Sequence, residues 1–296
     1  MILERILIPL DGSETAEAIL PHAIRLLRRS PAELLILQTV PYPPDSHVGL
    51  PTVLDAAHRY VRRVTFQLVN EGIRARGIVE QGLAAGTILD VAAKEGVSLI
   101  AMSTHGRTGL SRLVFGSVAE KALRASSVPV LLARSFHPGP GRELSRGRLE
   151  ETPFRNILVP VDGREGSLSV LPAVQDVARP VDARVTLVCV HPHDDLEGRW
   201  DSPDAPAEAA REALVKDCVP VEIEVRHGDP AAEILRAAED RSADLIAMST
   251  HGRTGPPRWV LGSVTENVLR ASTVPLLVTR RRVEAGVAET GAAVAP

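Results

Sequence analysis

One stretch of this chain occurs twice. Leu99–Leu132 (LIAMSTHGRTGLSRLVFGSVAEKALRASSVPVLL) returns as Leu245–Val278 (LIAMSTHGRTGPPRWVLGSVTENVLRASTVPLLV), displaced by 146 residues. In a chain of 296 residues that period means two homologous domains, each large enough to bury its own core, and excludes a solenoid of short repeats. Within each copy an apolar run leads into a Gly-rich polar loop, then a helix opening on Gly-Ser, then a second apolar run. Ser117 with Glu120, and Ser263 with Glu266, have the spacing of a capping box. Loop N–H groups followed by a helix N-terminus attract an anionic group such as phosphate.

The rest of each half alternates short apolar runs with helical patterns. Arg5–Leu10 reads as a buried strand closed by Asp11-Gly12, and Ser13 suits the N-cap of a helix running to about Leu27. Glu33–Val40 is a second strand, after which Pro41, Pro43 and Pro44 open a loop. A long helix from about Leu54 to Glu71 carries Arg59, Arg62 and Arg63 on its solvated side. Arg74–Glu80 is a third strand, Gly82–Gly86 turns into a helix reaching Glu95, Leu99–Ser103 is the fourth strand and Pro129–Ala133 the fifth. The second half restarts at Arg155 with NILVPVDGREGS, with strands at Thr186–Val190 and Pro220–Val225 and a modest helix near Ala205–Leu214.

This rhythm predicts α/β architecture: two tandem doubly wound, Rossmann-like domains, each a five-stranded parallel sheet flanked by helices. The domains span residues 1–135 and 154–281, joined by a Pro-, Gly- and Arg-rich linker at 136–153 and followed by a flexible tail at 282–296. Val128–Leu132 and Val274–Val278 are apolar sheet-edge strands that need covering.

A net charge of −3 and 3% aromatic residues argue against nucleic acid as a partner. No apolar run approaches a membrane span, and MILERILIPLDGSE lacks the layout of a signal peptide, so a cytoplasmic location is expected. Cys189 and Cys218 stand alone and read as reduced core residues. No GxxxxGK[ST], HExxH or GxSxG pattern is present, and no residue reads as an activated nucleophile.

Ligands of an open parallel sheet bind beyond the strand carboxyl ends where the winding reverses. With strands 1 and 4 adjacent, that crevice is lined by Pro9, Asp11 and Gly12 on one side and by Thr104 to Ser117 on the other. Asp11 suits a ribose hydroxyl or an adenine amino group. Gly106 and Gly109 let backbone approach a ligand, Gly116, Ser117 and Val118 present a helix start, and Arg107 adds charge for a phosphate oxygen. His105 and His251 repeat, but a loop His beside Gly reads as a hydrogen-bonding residue before a catalyst.

The spacing Gly106, nine residues, Gly116-Ser117 resembles the C-terminal part of the ATP-binding motif of universal stress proteins, which runs Gly, two residues, Gly, nine residues, Gly-Ser or Gly-Thr. Ile8-Pro9-Leu10-Asp11 and Val128-Pro129-Val130-Leu131-Leu132 also resemble that family, and both halves carry the match. The resemblance implies that Asp11 and Asp162 hold ribose or adenine, and that Val40 and Val190 meet the adenine edge through their backbone. Gly106, Gly116 and Ser117, with Gly252, Arg253, Gly262 and Ser263 in the second half, would hold the phosphates of ATP, any Mg2+ being supplied with the nucleotide. Ser103 and Ser249 stand where the motif has its first Gly, and Pro256-Pro257 replaces Leu110-Ser111, removing two N–H donors from the second loop.

The resemblance further implies that the last strands of the two domains pair antiparallel, a pseudo-dimer within one chain; closed symmetric oligomers being common, a homodimer of two such chains is open as a further step. The function expected is a nucleotide-dependent stress sensor or regulator with at most weak ATPase activity. A nucleotide-free interaction scaffold of the same fold is the alternative. An enzyme of the adenine-nucleotide α-hydrolase type is disfavoured, because LDGSETA after strand 1 is poor in Gly.

Overall fold

The computed structural model describes residues 3–27, 30–41, 50–104, 116–134, 152–191, 204–250 and 262–280. The first half runs β1 (Arg5–Pro9), α1 (Glu14–Glu17), α2 (Leu20–Leu27), β2 (Glu33–Val40), α3 (Leu50–Asn70), β3 (Ala75–Gln81), α4 (Ala84–Lys94), β4 (Leu99–Ser103), α5 (Ser117–Ala125) and β5 (Val130–Ala133). The second runs β6 (Asn156–Val161), α6 (Glu165–Leu168), α7 (Leu171–Ala178), β7 (Arg184–His191), α8 (Ala205–Lys216), β8 (Val221–His227), α9 (Pro230–Asp240), β9 (Leu245–Thr250), α10 (Ser263–Ala271) and β10 (Leu276–Arg280).

The ten strands of the described residues form one sheet, ordered β3-β2-β1-β4-β5-β10-β9-β6-β7-β8. Pairing is parallel within each half, and β5 pairs antiparallel with β10 at the seam. Leu131 faces Leu277 there, flanked by Val130–Val278 and Leu132–Leu276. Leu131 and Leu277 hold the same position in the repeat, so a local two-fold axis passes through that pair. Helices cover both faces. One apolar layer joins β1, β2, α2 and α3 to β6, β7, α7 and α8; the other joins β4 and β5 to α4, α5, α9 and α10.

Several local expectations are corrected. The helix expected from Ser13 to Leu27 is two: Ser13 Oγ does accept the Ala16 N–H at 3.1 Å to start α1, but the helix breaks at Ala18–Ile19. Pro21 has no N–H for the Glu17 carbonyl and its ring would collide with it. The long helix begins earlier, at Leu50. The two capping boxes do not form. Gly116 and Gly262 are the N-caps, extended at φ −61°, ψ 134° and φ −55°, ψ 140°, so Ser117 and Ser263 are already the first helical residues. Glu120 and Glu266 turn instead to Arg124 and Arg270 one turn on. Cys189 is buried as expected, whereas Cys218 is exposed at φ 59° after α8.

A side chain of the first half ties it to the second. Arg25 of α2, only 7% exposed, places its guanidinium 2.6 Å from the Asp244 carboxylate and 4.0 Å from the Phe154 ring, and donates to the Thr152 carbonyl at 3.1 Å. Asp244 in turn accepts the Arg155 and Asn156 N–H groups at 3.0 and 3.1 Å, fixing the start of β6. At the equivalent place in the first half, Ser98 Oγ accepts the Glu4 N–H at 3.1 Å.

Candidate functional site

The order β2-β1-β4 puts the reversal of winding between β1 and β4, which run side by side with Ile6 opposite Leu99. Beyond their carboxyl ends the chain leaves β1 through Leu10 and turns at Gly12, whose φ of 85° suits glycine. Asp11 sits at that turn, half-buried, its Oδ1 accepting the Ser13 N–H at 2.9 Å and the Ser13 hydroxyl at 2.5 Å. Pro9 ends β1. Across the crevice, Ser103 is 8% and Thr104 3% exposed. The Thr104 N–H donates to the Ala133 carbonyl at 2.9 Å, and its own carbonyl accepts the Gly116 N–H at 2.7 Å.

That last bond clamps together the two ends of the Gly-rich loop and spends the Gly116 N–H. It also holds Gly116 extended and so delays the helix by one residue. The N–H groups of Ser117 and Val118, at the first two positions of the nine-residue α5, are among those that have no acceptor inside the helix. They carry the partial positive charge of the helix start at the mouth of the crevice. His105, Gly106, Arg107 and Gly109, and in the second half His251, Gly252, Arg253, Pro256 and Pro257, lie outside the described residues.

Val40 ends β2, and its carbonyl accepts the Gly82 N–H at 2.9 Å. A carbonyl has two lone pairs, so it retains acceptor capacity for a purine amino group. The half-buried Asp11 and this carbonyl offer acceptors, and the α5 N–H groups offer donors suited to an anion.

A cluster behind Asp11 escaped sequence reasoning. Glu17 of α1, 7% exposed, accepts from Tyr60 Oη and from the Arg63 guanidinium, each at 2.9 Å, and Arg63 lies over the Tyr60 ring. Burial first, then the Glu17 carboxylate, pushes the Tyr60 phenol far above its ordinary range. Arg63 therefore anchors α3 to α1, the helix that opens beside Asp11, and is not merely part of a solvated face. The only available signal was a Glu within a helical apolar stripe, and nothing in the sequence named its partners.

The second half repeats the frame with altered chemistry. Gly163 turns at φ 69°, but Asp162 is exposed, its Oδ1 accepting the Arg164 N–H at 3.1 Å and its Oδ2 3.8 Å from the Arg164 guanidinium. Arg164 replaces the capping Ser13, and α6 has no side-chain cap. Gly262 and Ser263 open α10 as Gly116 and Ser117 open α5. The hydroxyls of Ser249 and Thr279, paired in register on β9 and β10, are buried and find no partner among the described residues.

The position of Val190 is a correction. Arg5 pairs with Glu33 and Asn156 with Arg184, and Gly228 donates to the His191 carbonyl at 2.9 Å just as Gly82 donates to that of Val40. His191, not Val190, is the counterpart of Val40. Val190 lies one residue back, and in a strand that puts it on the opposite face. Val40 follows Asp11 by as many residues as His191 follows Asp162, so the repeat itself carries this register.

Two segments, residues 3–134 and 153–280, match the universal stress protein family. A universal stress protein of Methanocaldococcus jannaschii is 35% identical over 144 residues, spanning 44% of this chain and 85% of its own. One of Mycolicibacterium smegmatis is 23% identical over 307 residues, spanning 94% of this chain and 97% of its own. A solved universal stress protein of Archaeoglobus fulgidus is alike in fold, with a TM-score of 0.74 at 22% identity, over 95% of this chain and 100% of that one.

Proposed function

Because the chain belongs to the universal stress protein family, we propose that it binds ATP in the crevice between β1 and β4 and acts as a cytoplasmic, nucleotide-dependent regulator. Asp11 takes a ribose hydroxyl or the adenine amino group, the Val40 carbonyl faces the base, and the Ser117 and Val118 N–H groups meet phosphate oxygens. Ser103, His105, Gly106, Arg107 and Gly109 complete the cradle. Mg2+ arrives with the phosphates, since hard cations favour phosphate oxygens and water. The observation that carries this reading is the 2.7 Å bond from Gly116 to Thr104, which sets a closed loop and a helix start beside a half-buried carboxylate.

Occupancy stabilises the folded state by RT ln(1 + [L]/Kd), which suits a regulator with at most weak ATPase activity. The two halves, with boundaries near residues 135 and 154, act as a pseudo-dimer joined at β5 and β10, leaving further self-association as a homodimer to other surfaces.

The test is to denature purified protein and identify the nucleotide it releases, beside an Asp11→Ala/Gly116→Val variant. ATP or ADP in the parent and none in the variant is the expected outcome. A ratio near one per chain assigns the first crevice alone; a ratio near two means that Arg164 yields Asp162 to a second nucleotide. No nucleotide, together with no thermal shift in millimolar Mg-ATP, would favour a scaffold without nucleotide. The scaffold reading already fits the second half better, where Asp162 is engaged by Arg164.

A further inference from the structure

We propose that His191 and His227 form a binding site for a divalent transition cation such as Zn2+, a site that the first half lacks. They are the last residues of β7 and β8, directly opposite in the parallel register. Residues opposite in a parallel pair project to one face of the sheet. The two imidazoles accordingly lie together, ring centroids 5.6 Å apart and planes inclined at 33°.

Metal geometry requires nearly this separation. A cation about 2.0–2.1 Å from one nitrogen of each ring, with a tetrahedral angle between them, sets the centroids about 5 Å apart. Closing a few tenths of an ångström takes only a small rotation about χ1 or χ2. Both rings reach solvent, His227 more than His191, so water or a further donor can complete the coordination sphere. Imidazole selects zinc, copper, nickel or cobalt and leaves magnesium and calcium to oxygen donors.

The backbone beneath is fixed. Gly228, immediately after His227, donates to the His191 carbonyl at 2.9 Å and adopts φ 143°, which ties the two strand ends together. Along β8 the side chains alternate: Arg226 turns to Glu224, Glu233 and Asp240, and its cationic group is thereby held by carboxylates of the α9 side. Val225 and Cys189, two residues before each histidine, share the histidines' face and belong to the apolar layer under α8. A pair of imidazoles placed by rigid strand ends is an arrangement that keeps its geometry when the metal is absent.

In the first half the same two register positions hold Val40 and Gln81. The substitutions His191→Val and His227→Gln thus write in residues that this fold already accommodates. His191 holds the place of Val40 in the second half, so the metal is titrated into protein free of nucleotide, and its binding there does not depend on the first crevice.

The experiment is zinc titration by calorimetry on the full chain, stripped of metal and nucleotide, alongside the His191→Val/His227→Gln variant. It is paired with Cu2+ broadening of the imidazole proton resonances. We expect one zinc per chain saturating in the micromolar range, loss of that event in the double variant with its thermal midpoint unchanged, and first broadening of two of the nine histidines. Zinc uptake that survives in the double variant, or copper broadening centred on other histidines, overturns the proposal. So does the absence of any uptake by the parent.

Discussion

Arg25 belongs to a helix of the first half, yet its hydrogen-bond acceptors are Thr152, Pro153 and Asp244. A guanidinium this buried gains stability only while its partners are in place, and removing one side of such a pair leaves the other desolvated and uncompensated. Arg25→Ala should cost about 2–4 kcal/mol in urea unfolding, the lower end reflecting the 26% exposure of the Asp244 side chain. Arg25→Met, which keeps apolar contact with Phe154, should recover part of that loss. The cysteines give a second residue-level test. Burial, then the Asp204 carboxylate, pushes the Cys189 thiol up to about 11, while Cys218 is exposed. A thiol reagent at pH 8 should titrate one cysteine rapidly in the native protein and the second only on unfolding, because the thiolate is the reactive form.

Among elements, α3 and β3 fit closely. A Cβ on Gly77 would collide with Val61 Cγ1 and come within 3.1 Å of the Thr65 hydroxyl, so α3 lies directly on the strand backbone. Gly77→Ala should therefore destabilise by about 1–3 kcal/mol, read in the denaturation midpoint, although alanine is ordinarily the milder residue in a strand. The strands themselves were legible in the sequence. The inner strands are short apolar runs with Gly, Pro or Asp close by, the edge strands β3 and β8 mix charged with apolar residues, and Asp11-Gly12 and Asp162-Gly163 located both crevice turns. What escaped was set by contacts distant along the chain. The N-cap at Gly116 depends on the carbonyl of Thr104, and the Ser-x-x-Glu spacing carries no trace of that bond. Glu17 lies more than forty residues before Tyr60 and Arg63, and only the packing of α1 on α3 brings it to them.

At the scale of the molecule, the sheet ends on β3 and β8, and both edges are charged. Arg76 pairs with Glu95, and Lys94 with Glu80, along the first; Arg226 and Arg241 engage Glu222 and Glu224 along the second. Such edges discourage a further strand from joining, so the sheet should stop at ten strands however concentrated the protein. Light scattering across a concentration series should show discrete particles without open-ended growth. The middle of the sheet is different: the Leu131–Leu277 seam is nearly the same from either side, and by itself would let like join like.

The clasp at Arg25 removes that ambiguity. In the repeat, Arg25 corresponds to Asp176 and Asp244 corresponds to Ser98. Two first halves brought together would set a buried arginine against a serine twice over. Two second halves would set Asp176 against Asp244, acid against acid. Only the mixed pair brings arginine to aspartate, so the two copies carry complementary identities, with repulsion guarding against the mismatched unions. Severed within residues 136–153 and produced together, the halves should sort themselves into mixed pairs in native mass spectrometry, and Asp244→Ser should erase the preference. The covalent linker then sets the local concentration of partners that already recognise one another.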